Sequence, residues 1–294
     1  MLQDPIQTRS LAVGAIINTT SGGTNDATKD KLEAIISEAG VVGAQIWSVE
    51  AEKLEGAFAQ ALSHDLDVLI VFGGDGTIRT AAQGATMEGP VLLPLPGGTM
   101  NLLPKALYGD MGWEEIVRTT FERPSVRTIS GGKVGKERFF IAAIFGAPAL
   151  WTKAREALRE GELATALEEG KQALENLFAS KVNYSFNELH EGSAEAVSVI
   201  CPLISNTLAD DRQVLEAAVI DAPGAGELLQ LASAAAFGEW RDAQNVAVVT
   251  TKHVRISSET QIPVIVDGEM ISAGTTLDVE FVPEAFKVLV PASA

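Results

Sequence analysis

Short apolar runs alternate with amphipathic segments through the first part of the chain. The runs Leu11–Ile17, Ala44–Val49, Asp67–Phe72 and Pro90–Leu95 are mostly apolar and are short for helices, which is typical of strands buried on both faces of a sheet. Helical spacing follows each run, so the pattern predicts βαβ units around a mostly parallel sheet. The predicted helices are Asp26–Ala39, Ala51–Ser63, Thr77–Ala85 and two more between Pro96 and Glu122.

The pattern changes near Ser125, where short strand-like runs begin to follow one another closely. Such spacing favours an antiparallel, β-rich second domain. We therefore predict an α/β domain over residues 1–124 and a β-rich domain over residues 125–294, whose C-terminal tail can pack back on the first domain. Two helical segments are predicted inside the second domain, Ala149–Ser180 and Glu227–Phe237.

The charge balance excludes some classes of partner. The formal net charge is −17, whereas nucleic-acid binding needs clustered Lys and Arg, so we expect no nucleic acid partner. The single cysteine, Cys201, allows neither an internal disulfide nor a cysteine metal cluster. The N-terminus lacks a signal-peptide pattern and no apolar run reaches about 18 residues. We expect a cytoplasmic protein that can be peripheral to a membrane and can contact it transiently.

Three glycine-rich loops follow predicted strands of the first domain. They are Asn18–Gly23, Gly73–Thr77 and Pro96–Thr99, and each leads into a predicted helix. The carboxyl ends of parallel strands meet at one sheet edge, where ligands gather. Glycine lets backbone N–H groups approach an anion, and a helix N-terminus favours negative charge. The loops therefore predict a phosphate site, to which hydroxyl donors are added by Ser21, Thr77 and Thr99.

Asp75 is the unexpected member of the second loop. A carboxylate repels phosphate unless a cation lies between them, and Mg²⁺ takes one or two carboxylates together with phosphate oxygens. Asp75 is therefore the candidate metal ligand. The alternative is that each loop is only a strand-to-helix turn with a capping side chain.

The order of these loops resembles the diacylglycerol kinase catalytic family, which includes bacterial lipid kinases and the sphingosine and ceramide kinases. The segment Gly73–Thr77 alone is shared with NAD kinases and phosphofructokinases, whereas Pro96–Asn101 favours the lipid kinases. The resemblance implies ATP and Mg²⁺ as cofactors and a lipid alcohol as substrate. It implies a nucleotide site made of Asn18, Ser21, Gly22, Gly73, Gly74, Asp75, Gly76, Thr77, Gly97, Gly98, Thr99 and Asn101.

The chain departs from the family pattern at several positions. Thr19 stands where the family usually has proline, Leu102 where it has aspartate, and Lys105 where arginine is common. The charged segment Leu208–Gln213 replaces a glycine-rich loop; its aspartates could bind a metal or form a solvated turn. Lys105 and Arg79 could face phosphate or solvent. These differences indicate a divergent member.

Asp267 and Gly268 separate two apolar runs, which is a standard signal for a two-residue hairpin turn. The resemblance implies a functional role for the same residues. The family has Asp-Gly-Glu here, and the aspartate is its proposed general base. Asp267 would then accept the proton of the acceptor hydroxyl, and Glu269 would orient that group or help to hold Mg²⁺. The two interpretations are compatible.

Three hypotheses about function follow. The first is an ATP-dependent lipid kinase that phosphorylates an alcohol such as diacylglycerol. The second is a kinase of the NAD kinase type, which shares the Gly73–Thr77 motif. The third is a nucleotide-binding regulatory protein without catalysis, which the Leu102 departure keeps open.

Overall fold

The computed structural model describes residues 11–146, 181–205, 208, 213–221 and 246–292. These residues form two compact units. Unit 1 contains the described residues up to Ser130 and those from Pro283 onward, and unit 2 contains those from Gly131 to Val282. The predicted helices Ala149–Ser180 and Glu227–Phe237, and most of the segment Leu208–Gln213, lie outside the described residues. No helix of the described residues is long and apolar enough to cross a bilayer.

Unit 1 is built on parallel strands in the order β2-β1-β3-β4. The strands are β1 (Val13–Asn18), β2 (Gln45–Val49), β3 (Val68–Gly73) and β4 (Val91–Pro96). The helices are α1 (Thr28–Glu38), α2 (Leu54–Leu62), α3 (Asp75–Gly84), α4 (Leu102–Tyr108) and α5 (Trp113–Glu122).

Burial explains why these segments are strands. Every residue of β1 and β3 is buried, which matches their unbroken apolar composition and a sheet covered on both faces. Helix α1 ends at Glu38 and is followed by Gly40, whose φ is +85°, a conformation that glycine adopts without a steric penalty. The predicted α/β fold of this part of the chain is confirmed.

The secondary structure of the described residues of unit 2 is made of strands, most of them antiparallel to their neighbours. One sheet has the order β12-β11-β10-β7-β14-β15, and the other strands pair as β13 with β8, β8 with β9, and β5 with β6. Buried side chains from both groups, including Val197 and Val254, share one apolar core. The predicted β-rich architecture is therefore confirmed. The strands are β5 (Pro124–Val134), β6 (Glu137–Phe139), β7 (Ala142–Gly146), β8 (Val182–Phe186), β9 (His190–Ala194), β10 (Ala196–Ile200), β11 (Leu215–Ile220), β12 (Val246–Thr251), β13 (His253–Ser257), β14 (Val264–Val266), β15 (Glu269–Ile271) and β16 (Thr276–Pro291).

The last strand is longer than the sequence pattern predicts, because the strand-like runs Thr275–Val282 and Phe286–Pro291 are separated by a segment that contains Pro283. A single strand, β16, runs through this proline. Its first part pairs with β13 over Thr276–Glu280, and Val288 in its last part pairs with Leu92 of β4. Pro283 lies between the two stretches, where its missing N–H costs no bond of those ladders. Strand β5 begins in unit 1 and ends in unit 2. The domain boundary at residue 124 stays a prediction.

Tyr108 links helix α4 to the end of β16. Its hydroxyl donates a 2.8 Å hydrogen bond to the carbonyl of Leu289 and is buried, which raises the pKa of Tyr108 well above its usual range. We expect Tyr108→Phe to lower the free energy of unfolding by about 1–2 kcal/mol in urea titrations, because the buried carbonyl loses its donor. The matched control is Tyr184→Phe, at a half-buried ring of unit 2, where we expect a change below about 0.5 kcal/mol. Equal losses in the two variants would contradict this role.

Candidate functional site

The three glycine-rich loops meet at the carboxyl edge of the unit 1 sheet. Strands β1, β3 and β4 are parallel neighbours, so the loops that follow them leave the sheet at the same edge. The amide of Gly23 donates to the carbonyl of Gly97 at 2.8 Å, and the amide of Gly97 donates to the carbonyl of Gly73 at 2.9 Å. The loops therefore form one connected backbone surface.

Glycine is required where these loops touch. A Cβ atom on Gly98 would lie 2.6 Å from the Cα atom of Gly74, and one on Gly97 would lie 3.0 Å from the Cα atom of Gly73. A Cβ atom on Gly22, by contrast, would meet nothing within 4 Å. The sequence pattern assigns all of these glycines to phosphate contact. The structure gives those at 73, 74, 97 and 98 an additional role in loop packing, and leaves Gly22 exposed.

Asn18 connects the first loop to helix α3. Its Nδ2 donates to Oγ1 of Thr77 at 2.9 Å, and both residues are buried. Its Oδ1 accepts hydrogen bonds from the amide and the hydroxyl of Thr20. The hydroxyl of Thr24 donates to the carbonyls of Asn18 and Ser21. The sequence pattern predicts a loop here but assigns no role to Thr20 or Thr24, although Thr hydroxyls commonly bond to nearby backbone in turns.

Helix α3 begins earlier than predicted, at Asp75 rather than Thr77. Only Gly74 separates it from β3, and this N-cap residue provides no side-chain cap. The first helical bond runs from the amide of Ile78 to the carbonyl of Gly74. The N–H groups of Asp75, Gly76 and Thr77 precede that bond and have no acceptor within the helix. Such an uncapped N-terminus favours an anion.

The carboxylate of Asp75 lies beside the start of helix α4. Its Oδ1 accepts a long, 3.4 Å hydrogen bond from the amide of Leu103. Burial raises the pKa of Asp75, while the backbone N–H groups of Leu103, Leu102 and Asn101 and the charge of Lys105 oppose that rise. Asp75 therefore interacts with a helix N-terminus, where a carboxylate is favourable.

The described residues contain no group of three or more His, Cys, Asp or Glu side chains that could hold a metal ion. A metal beside Asp75 would therefore take most of its ligand oxygens from other sources, such as a bound phosphate and water. Mg²⁺ fits this donor set, because it commonly uses one or two carboxylates and completes its shell with phosphate and water. The assignment of Asp75 as a metal ligand stays a prediction.

The third loop is closed by its own asparagine. Asn101 has left-handed backbone angles, φ 52° and ψ 45°. Its Oδ1 accepts from the amide of Gly98 and its Nδ2 donates to the carbonyl of Gly98, both at 2.7 Å. The side chain of Asn101 therefore holds the loop shape, while Thr99 is exposed to solvent. Lys105 is also exposed, but Arg79 is buried, so its interpretation as a surface charge is wrong.

The predicted Asp-Gly hairpin is present in unit 2. Asp267 and Gly268 have φ values of 49° and 89°, and Val266 pairs with Glu269 across the turn. Positive φ at both central residues is the backbone of a type I′ turn. Asp267 is only 8% exposed, whereas Glu269 is exposed.

The Asp267 carboxylate is bound by backbone amides of another segment. Its Oδ2 accepts from the amide of Phe140 at 2.9 Å, and its Oδ1 accepts from the amides of Ile141 and Ala142 at 2.9 and 3.0 Å. These bonds tie the hairpin tip to the chain between β6 and β7. Burial and the negative charge of Asp267 raise the pKa of the Cys201 thiol well above its usual range, so the neutral thiol is favoured there.

Asp75 lies in unit 1 and Asp267 lies in unit 2. The structure thus assembles the predicted nucleotide-binding residues of unit 1 at one sheet edge and gives Asp267 a defined environment in unit 2. The roles assigned to these residues stay predictions.

Comparison with known proteins gives a consistent result. Residues 12–134 match the family model described as the diacylglycerol kinase catalytic domain. A diacylglycerol kinase from Bacillus anthracis strain Sterne is 21% identical, with a TM-score of 0.71 over 97% of this chain and 98% of that chain. A second structure from the same organism, described as a candidate diacylglycerol kinase, is 20% identical with a TM-score of 0.75, covering 99% and 98% of the two chains. At these identities the structural likeness shows a shared fold.

Proposed function

We propose that this chain, whose residues 12–134 match the family model described as the diacylglycerol kinase catalytic domain, transfers the γ-phosphoryl group of ATP to the hydroxyl of a lipid alcohol such as diacylglycerol. The observation that supports this most is the position of the matched stretch, which contains all three glycine-rich loops and the uncapped start of α3. Positioning and charge stabilisation are the main tasks of a protein in phosphoryl transfer.

The nucleotide phosphates would lie over the edge formed by the three loops. The N–H groups of Asp75, Gly76 and Thr77 would donate to phosphate oxygens, because they precede the first helical hydrogen bond. Ser21 and Thr99 would add hydroxyl donors at the edge of the site. Asn18 would act indirectly, since its amide holds Thr77 and its oxygen holds the first loop.

Asp75 is the residue that would hold Mg²⁺ together with phosphate oxygens. The ion would neutralise the charge that develops on the transferred group and its leaving oxygen. Lys105, whose charge acts on Asp75, would contribute to the same electrostatic balance.

Asp267 would act on the acceptor. As the hydroxyl oxygen forms its bond to the γ-phosphorus and the bond to the bridging oxygen of ADP breaks, the Asp267 carboxylate would accept the hydroxyl proton. Its three backbone hydrogen bonds would fix the orientation of the carboxylate before the substrate arrives. Glu269, two positions after Asp267, is exposed and would orient the acceptor group or help to hold Mg²⁺.

The proposal predicts a lipid phosphate as product. The full chain is incubated with ³²P-labelled ATP, Mg²⁺ and vesicles that carry diacylglycerol, ceramide or a sphingoid base, and the products are separated by chromatography. We expect Mg²⁺-dependent labelling of at least one lipid and a transient association with the vesicles. NAD with ATP, in a parallel reaction, provides the control for a soluble acceptor.

Each alternative gives a different result in this experiment. Formation of NADP without labelled lipid would contradict the proposed lipid kinase function and would support an enzyme of the NAD kinase type. Saturable ATP binding without transfer to any acceptor would instead support a regulatory nucleotide-binding protein.

A further inference from the structure

A cavity lies in unit 1 at the amino-terminal ends of the strands. Its lining includes Val68 and Val91, which are the first residues of β3 and β4. It also includes Leu11, which precedes β1 and is the first residue that the structure describes. Ligands of parallel sheets normally bind at the carboxyl ends of the strands, where the glycine-rich loops lie. The cavity is at the opposite edge, so it is separate from the candidate nucleotide site. Its volume is about 760 Å³, within the range of small-molecule sites.

Part of the wall of this cavity is apolar. Val41, Val68 and Leu289 line it but are already nearly fully buried, so the apolar surface open to a ligand comes from partly buried side chains, among them Leu11 and Leu66. Val91 and Phe121 also line it, and both pack against the unit 1 core. This wall would take up the apolar body of a ligand, because burial of apolar surface is favourable.

The rim of the cavity is acidic. The lining contains four carboxylate side chains and one basic side chain, Lys287. Asp67 accepts a hydrogen bond from the amide of Ala12 at 2.9 Å. The other three carboxylates are exposed and form no ion pair with any residue that the structure describes. Carboxylates gathered around a low-dielectric wall produce a local negative potential. The four are Asp65, Asp67, Glu88 and Glu122.

We propose that this cavity binds an amphiphilic organic cation, in which an ammonium or guanidinium group is attached to an apolar body. The cationic group would lie at the carboxylate rim, and the apolar body would lie against the partly buried side chains of Leu66, Val91 and Phe121. An anion would be repelled by the rim, and a neutral apolar ligand would leave the carboxylates without a counter-charge. The site needs neither ATP nor an acceptor lipid, so its test is independent of the proposed function.

Dodecylammonium chloride, below its micelle-forming concentration, is a suitable probe for calorimetric titration of the full chain. We expect saturable one-to-one binding. The combined substitutions Asp65→Asn, Glu88→Gln and Glu122→Gln should weaken it by about tenfold or more, because the rim potential is removed. Butylammonium and dodecyl maltoside, which lack the apolar body and the charge respectively, should each bind at least about tenfold more weakly.

The net charge of −17 demands a matched control. The combined substitutions Glu33→Gln, Glu52→Gln and Glu55→Gln remove the same charge from exposed positions of unit 1 that do not line the cavity. This variant should bind the probe within about twofold of the unmodified chain. Equal weakening in both triple variants would show general attraction to an acidic protein and overturn the proposal. Tight binding of dodecyl maltoside, or many bound detergents in the rim variant, would also overturn it.

Discussion

Replacing Asp267 with asparagine is expected to reduce phosphoryl transfer by about 10²–10⁴-fold, because a carboxylate that accepts the acceptor proton is lost. Asparagine tolerates the left-handed backbone of this turn, so the hairpin itself should form. One of the three amides that now bind the carboxylate would meet an NH₂ group instead of an oxygen. We therefore also expect the free energy of unfolding to fall by about 1–3 kcal/mol.

The turnover number at saturating ATP and the urea unfolding curve should be measured on the same preparation, well below the melting temperature. Glu259→Gln, at an exposed acid of the same unit, is the control and should change neither quantity appreciably. A catalytic loss that merely follows the unfolded fraction would assign Asp267 a structural role alone. A folded variant with normal turnover would remove Asp267 as the base.

Replacing Gly98 with alanine is expected to impair the candidate nucleotide site by disturbing the packing between its loops. The added Cβ would lie 2.6 Å from the Cα atom of Gly74, and backbone cannot move aside as a flexible side chain can. The second and third loops would have to separate, which should cost about 1–3 kcal/mol of stability. Because small displacements of positioning groups are expensive in catalysis, turnover should fall by about 10²-fold.

Thermal unfolding, ATP affinity by equilibrium dialysis and turnover together test this prediction. Gly56→Ala is the matched control, because a Cβ atom there would meet nothing within 4 Å. That position is inside helix α2, so alanine should stabilise the chain by about 0.5–1 kcal/mol and leave ATP affinity unchanged. Normal ATP affinity and turnover in the Gly98→Ala variant would show that loop contact is unimportant for the site.

The unit 1 site could be anticipated because its determinants are local. Buried parallel strands have unbroken apolar runs, so β1 and β3 are visible in the sequence. The strands end at glycine-rich segments, and parallel topology then places the three loops at one edge. The sequence does not reveal that Gly74 and Gly98 also pack against each other. That contact depends on the distance between the two strands that precede the loops, and neither loop sequence contains this information.

The unit 2 features depend on contacts between distant segments. The turn at Asp267 was predictable from the Asp-Gly pair, but its partners lie 125 to 127 positions away in the sequence. Strand β9, His190–Ala194, was missed because its residues are mostly polar or small; it is an end strand that pairs with β8. Backbone pairing with one neighbour can form a strand that side-chain pattern alone does not reveal.

The direct contacts between the glycine-rich loops have a consequence for engineering and for divergence within the fold. The third loop is in close contact with each of the other two, through Gly97 with Gly23 and through Gly98 with Gly74. A single loop transplanted into a related protein would not match the shape of the loops that it has to contact there. The three loops should therefore be exchanged as one cassette, together with the Asn18–Thr77 hydrogen bond that joins two of them.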